Sequence, residues 1–383
     1  MLKVAIVGCG KIADSHAAQI ARIRDCEIVA VCDRELLMAR QLSERFAIRS
    51  NYSDLEVLLK ECKPDVVHIT TPPESHFKLA KCCLESGTHV YVEKPFTLYE
   101  HEAQKLIDLA TDGGLKITAG HDDQFSHVAR KMRSCIRSGY LGIGPVHMES
   151  YYCYELADTG YSGAMLVDKE HWVRRLPGKL LHNIISHGIA RIAEFISSEL
   201  PTVVAHGFTS EFLKSKGETE LVDELRVLIS EENGATAYFT FSSQMRPSLH
   251  VFRIYGNRNG LELDQDRETL IRLPGRRLKS YAEKFVPPVQ FAGQQLGNLR
   301  TNLSLFLKRD FHMKAGMKLL IEEFYRSISQ NTPPPIPHRE ILLTARIMDE
   351  IFAQLNRKEP AKLQKHSPEP AWTGAVHTAG VHS

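Results

Sequence analysis

The chain has 383 residues, 43% of them hydrophobic and 25% charged, the composition of globular material long enough for two well-buried cores. Its 48 basic and 46 acidic side chains leave a formal net charge of +2, so no global field draws nucleic acid or an anionic membrane surface to it. No apolar run approaches the roughly 20 residues that span a bilayer, and the N-terminus runs into a strand without a signal-peptide pattern. The eight cysteines lack CxxC spacing. A cytoplasmic protein with reduced thiols and no transmembrane segment is therefore expected.

Over the first third of the chain, short β-rich runs at 3–7, 27–32, 65–70, 89–92 and 116–119 alternate with stretches of helical period. That alternation predicts an α/β domain, a Rossmann-type doubly wound parallel sheet, over residues 1–122. Ser53 with Glu56, and Thr97 with Glu100, have the spacing of capping boxes and predict two helix starts. The first strand ends in Gly8-Cys9-Gly10-Lys11-Ile12-Ala13, a G-x-G-x-x-A fingerprint. In such a turn the first glycine bends the chain and the second lets backbone approach a pyrophosphate. The small third residue lets helix and strand pack closely. Asp33 closes the second strand, where a carboxylate can accept from both ribose hydroxyls of NAD and repel the 2′-phosphate of NADP. Arg34 follows it and is the one neighbour able to receive that phosphate.

Thr71-Pro72, with His76 beyond it, follows the next strand, where chain and ligand meet in such sheets. Glu93-Lys94-Pro95 ends the one after. A lysine there can exchange a proton with a substrate hydroxyl once burial and positive neighbours lower its pKa.

Past residue 122 the pattern changes. Strands are expected at 146–154, 203–208, 225–230, 236–242 and 249–255, with Asn233-Gly234 as a hairpin turn, and a helix at 180–197 between them. Helices at 313–329 and 338–355 flank a proline-rich joint at 332–337. The expectation is a C-terminal α+β domain with a large, mostly antiparallel open-faced sheet over 123–355, serving substrate binding and oligomerisation. A disordered tail is expected over 356–383. One uncovered sheet face implies a homodimer or homotetramer. Segment 272–309 holds Arg272, Arg276, Arg277, Lys279, Lys284, Arg300, Lys308 and Arg309 against Glu283 alone, and reads either as a solvated loop or as a phosphate or headgroup contact.

The fingerprint, Asp33, the Thr71-Pro72 turn with His76 and above all Glu93-Lys94-Pro95 resemble the glucose-fructose oxidoreductase / inositol dehydrogenase / MocA (Gfo/Idh/MocA) family, and the likeness runs to about residue 355. The resemblance implies NAD or, less favourably, NADP as cofactor, held by residues 8–13, Asp33, Arg34, Thr71, Pro72, His76, Glu93 and Lys94. It implies hydride transfer at a hydroxyl or keto carbon of a sugar, cyclitol or sugar nucleotide, with Lys94 as acid/base. The family's second catalytic element falls on His182-Asn183-Ile184-Ile185-Ser186-His187, so His187 matches the catalytic histidine and Asn183 stands where an aspartate is common. Asn183, His182 and Gln124, which takes the place of a frequent arginine, are the substrate-binding candidates. No metal site is expected, because His182 and His187 are splayed by about 140° around a helix. Two other functions have relatives in the family: a redox-neutral NAD-dependent glycosidase and a non-catalytic NAD(P)-sensing regulator.

Overall fold

The computed structural model describes residues 1–156, 168–232, 234–275, 278–312 and 314–357. The expected tail beyond residue 357, Asn233 of the expected turn, and Arg276 and Arg277 lie outside these residues.

The first sheet contains β1 (Leu2–Val7), β2 (Cys26–Cys32), β3 (Ser50–Tyr52), β4 (Val66–Ile69), β5 (His89–Val92) and β6 (Ile117–Ala119) in the order β3-β2-β1-β4-β5-β6. Every pairing is parallel. Residues 4–7 and 66–69 are buried on both faces, which explains their continuous apolar runs. Strand order reverses between β1 and β4, opening a crevice beyond their carboxyl ends that holds Gly8 and Thr71. The helices are α1 (Lys11–Ile20), α2 (Leu36–Phe46), α3 (Leu55–Cys62), α4 (His76–Glu85) and α5 (Glu100–Asp112).

Neither capping box forms. Asp54, not Ser53, caps α3 by accepting from Val57 N, because a carboxylate one residue closer satisfies the same orphan donor. At α5 the cap residue is Tyr99. Thr97 turns its hydroxyl to Tyr99 O, and Glu102 rather than Glu100 takes a backbone N–H, that of Leu98.

After α6 (His127–Arg137), a second sheet is built from β7 (Pro145–Cys153), β8 (Thr202–Phe208), β9 (Glu224–Ser230), β10 (Thr236–Ser242), β11 (Leu249–Gly256), β12 (Asn259–Asp264) and β13 (Thr269–Pro274). Its order is β13-β12-β11-β7-β10-β9-β8, with β7/β10 the parallel pair and the others antiparallel. On the face away from the helices, Val204, Leu228 and Tyr238 stand in one row across β8, β9 and β10 and are 54%, 38% and 53% exposed.

The expected helix over 180–197 is two short ones, α7 (Lys179–Ile184) and α8 (Ser186–Ala193), meeting at Ile185. Beyond α9 (Glu211–Ser215), segment 272–309 is no loop. It finishes β13 and forms α10 (Ala282–Leu307), a helix hidden in the sequence by Pro287 and Pro288 in its second turn.

Between them the last two helices serve both sheets. Met317, Leu320, Ile321 and Phe324 of α11 (Ala315–Ser329) pack into the core of the first sheet. Helix α12 (His338–Asn356) places Ile341 in that core and Ile347, Ile351 and Phe352 in the core of the second, tying the sheets together.

Candidate active site

The glycine turn has the shape a dinucleotide needs. Gly8 has φ +94°, and a Cβ there would sit 2.6 Å from Thr71 Cγ2, so only glycine fits. A Cβ on Gly10 would meet nothing within 4 Å, so this backbone faces open space at the start of α1. Gly10 caps that helix without a side-chain bond, leaving the first-turn N–H groups for an anion. Ala13 is fully buried, as close helix–strand contact requires. Asp33 accepts from Cys9 N at 2.7 Å and Glu35 N at 2.9 Å, which fixes its carboxylate at the crevice rim beside exposed Arg34. Burial, then the Asp33 charge, pushes the Cys9 thiol up to about 12, so it is an inert packing group. These features fit NAD.

His76 is fully buried, and its ring nitrogens lie 2.8 Å from Thr71 O and 2.9 Å from Pro95 O. It braces the turn after β4 against the turn after β5. Glu93 likewise turns inward. It takes the backbone N–H of Lys94 at 3.1 Å and lies 2.8 Å from His16 Nε2. His16 Nδ1 is 2.9 Å from His68 Nδ1, and His68 Nε2 is 2.8 Å from Tyr325 OH. One set of neutral tautomers satisfies the whole buried chain, each member donating toward Glu93. Burial alone would raise Glu93, but the hydrogen bond from His16 and the Lys94 charge bring it down to about 2.

Lys94 Nζ donates to the backbone carbonyl of Asn183 at 3.0 Å, where α7 approaches its break. Burial pulls the Lys94 pKa down, and the charges of Glu93 and Asp122 oppose it. His187, on α8, is 9% exposed, and burial takes it down to about 4, so its imidazole is neutral at pH 7. Its Nε2 is 3.9 Å from Asp122 Oδ1 and its Nδ1 3.8 Å from Asp123 Oδ2, both long for direct hydrogen bonds.

The two aspartates were not singled out from sequence, although they sit in the segment that contains Gln124. Asp123 accepts from Arg191 at 3.2 Å, Tyr152 OH at 3.1 Å and Gln265 at 2.6 Å. Burial works against ionisation there, yet His187, Arg191 and Gln265 hold Asp123 below the usual carboxylate range. Burial and the neighbouring Asp123 charge push Asp122 up to about 7, with Lys314 opposing at 3.9 Å. Side by side, one carboxyl stays ionised while the other exchanges its proton near neutrality. Asp122, Asp123 and His187 also bring ligand atoms within 4.8 Å of one another, a chelating set that sequence spacing does not reveal. Arg191 and Lys314 already supply positive charge at that point. Arg191, Lys314, Tyr152 and Gln265 come from four separate elements and carry no sequence signal.

Two expected substrate contacts lie elsewhere. The His182 ring stacks on Phe352 of α12 at 4.9 Å and is 1% exposed, a core-packing group. Gln124 is buried and donates to Glu194 at 3.1 Å, in a cluster with Arg133.

A family profile described as "Oxidoreductase family, NAD-binding Rossmann fold" (GFO_IDH_MocA) matches residues 2–121. D-glucoside 3-dehydrogenase of Escherichia coli (strain K12) is 34% identical over 142 residues, which cover 37% of this chain and 40% of that protein. The chain thus spans less than half the length of that curated relative. An uncharacterised oxidoreductase of Synechocystis sp. is 27% identical over 368 residues, covering 91% of this chain and 92% of its own. In three dimensions the fold matches an NAD-binding oxidoreductase from Klebsiella pneumoniae with a TM-score of 0.75 at 19% identity, covering 94% of this chain and 97% of that one.

Proposed function

The chain belongs to the Gfo/Idh/MocA oxidoreductases, and from that premise we propose that it is an NAD-dependent dehydrogenase or reductase acting on a hydroxyl or keto carbon of a sugar, cyclitol or sugar nucleotide. The observation that carries this reading is the buried, pKa-lowered Lys94 at the carboxyl end of β5, beside a neutral histidine and a carboxyl that titrates near 7. NAD, when bound, supplies the hydride acceptor or donor. Lys94 Nζ takes the hydroxyl proton during oxidation and returns it during reduction. Neutral His187 accepts or donates a second hydrogen bond to the reacting oxygen, and Asp122 relays the proton outward. His76 and the Glu93–His16–His68–Tyr325 chain hold the turns that present Lys94. A glucoside dehydrogenase among the relatives, and a site lined with charged and hydroxyl-seeking groups, favour a polyhydroxylated substrate.

The eight cysteines are all unpaired, which suits the reducing cytoplasm, and no helix among the described residues is long and apolar enough to cross a membrane. The exposed row of Val204, Leu228 and Tyr238 is a fitting homo-oligomer face.

Titrating apo protein with both cofactors, then adding aldoses, cyclitols and nucleotide-linked sugars while absorbance near 340 nm is followed, tests this reading. NAD is expected to bind more tightly than NADP because Asp33 meets the 2′-phosphate. Equal or tighter NADP binding would mean that Arg34 dominates. Cofactor that stays bound while the sugar is cleaved without net absorbance change points to the glycosidase reading. Cofactor binding with no turnover at all points to a sensor.

Asn183 offers a pH test. Its backbone carbonyl accepts from Lys94 Nζ, so Asn183→Asp adds a carboxylate on the residue that already meets that ammonium and is expected to raise the Lys94 pKa against the lowering effect of burial. Oxidation needs the neutral amine, and activity is lost as pH falls through that pKa. The lower limb of the pH–rate profile is therefore expected to move upward, with lost activity near neutrality. An unmoved limb takes Lys94 out of the proton path.

A further inference from the structure

Helix α10 is mounted with its polar side against the protein and its apolar side outward. Gln294 accepts from Arg272 N at 2.7 Å and donates to Arg272 O at 3.1 Å. One turn on, Asn298 accepts from Leu270 N at 3.4 Å and donates to Leu270 O at 3.1 Å. The two amides thus serve as a substitute strand along the free edge of β13, which also shields that edge from stray pairing. On the opposite side of the helix stand Phe285, Val289, Ala292, Leu296, Leu299, Leu303 and Phe306. Leu296, Leu299, Leu303 and Phe306 are 58%, 54%, 52% and 66% exposed. The seven positions alternate spacings of four and three, the repeat of a coiled-coil seam, and those from Val289 onward lie beyond the two prolines.

We propose that this seam pairs antiparallel with α10 of a second copy of the chain, across a two-fold axis between Leu296 and Leu299. In that register the seam positions meet large against small: Val289 packs on the partner's Phe306, Ala292 on the partner's Leu303, and Leu296 on the partner's Leu299. Equivalent residues then contact each other reciprocally, as an isologous interface demands. The flanking positions are equally compatible, Val286 meeting the partner's Leu307, Gly293 the partner's Arg300, and Gln295 the partner's Asn302. No like charges face each other. A parallel pairing would set Ala292 against its own copy and leave a gap between bulky layers.

A lipid surface is the competing occupant, since Lys284, Arg300, Lys308 and Arg309 lie on the same helix or at its end. A membrane-surface helix, however, is rich in Lys and Arg along its polar face, whereas the residues bordering this stripe are uncharged apart from Arg300, and the large-against-small match along the stripe is what a facing helix needs. The seam lies on α10, apart from the open sheet face, so the two surfaces together can build a tetramer while either alone builds a dimer.

Light scattering on the full chain is expected to give a mass that falls by one assembly step in Leu296→Glu/Leu299→Glu, with circular dichroism and NAD affinity unchanged. Mixing chains carrying Leu296→Cys with chains carrying Leu299→Cys under oxidation is expected to give the mixed cross-linked dimer, well above the unsubstituted control. A single-chain mass for the wild type, or a mass the double substitution does not change, overturns the proposal. Cross-linking of Leu296→Cys with itself in preference to the mixed pair overturns the antiparallel register. Cosedimentation with phosphatidylserine vesicles that the double substitution abolishes, without any change of mass, assigns the helix to a membrane instead.

Discussion

Lys94→Ala is expected to lower kcat by about 10²- to 10⁴-fold, the usual worth of a positioned general acid/base, while leaving NAD affinity close to that of the wild type. The two parts separate because the fingerprint turn and Asp33 lie at the ends of β1 and β2, whereas Lys94 lies at the end of β5. The loss should fall on kcat and kcat/KM together, as it does when a contact made in the transition state disappears. Full activity in this variant would remove the catalytic assignment and leave a cofactor-binding protein that regulates a partner. A fall in NAD affinity alone would mean that Lys94 serves the cofactor and not the proton.

Phe239→Ala is expected to cost about 3–5 kcal/mol, near the upper end for a core truncation. Phe239 is 1% exposed on β10, and α8 rests directly on its ring: a Cβ on Gly188 would come within 2.5 Å of Phe239 Cε2. Emptying that volume leaves the helix that carries His187 and Arg191 without its seat. Turnover should therefore fall along with stability, although Phe239 is an apolar group of the second sheet's core. A urea titration at constant slope measures the first effect, and initial rates below the transition measure the second. A midpoint shift equivalent to less than about 1 kcal/mol would show that the site collapses readily and that α8 is held by its other contacts.

The residues whose turn and strand-end positions the sequence anticipated are those whose geometry is local. Gly8 must adopt positive φ, Gly10 must leave backbone bare, Asp33 must close β2, and Lys94 must close β5. Each follows from its own strand and turn. His76 and Glu93 were legible as belonging to the site but not in their manner of action, because their hydrogen bonds run to neighbouring turns and to α1. His182 shows the converse: it lies beside Asn183 in sequence, yet its ring stacks on a helix from the far end of the chain.

By itself the sequence determined the doubly wound first domain, the open-faced second sheet and the strand ends that carry the fingerprint turn, Asp33 and Lys94, since periodicity and turn chemistry are short-range properties. Only the tertiary structure decided which charges lie near Lys94. Asp122 and Asp123 acquire their protonation states from burial, from each other and from the nearby charges of Arg191 and Lys314, and those depend on distances between segments that no spacing along the chain encodes. The same holds for α10, whose outward apolar stripe became visible once Gln294 and Asn298 were seen holding its polar side to β13.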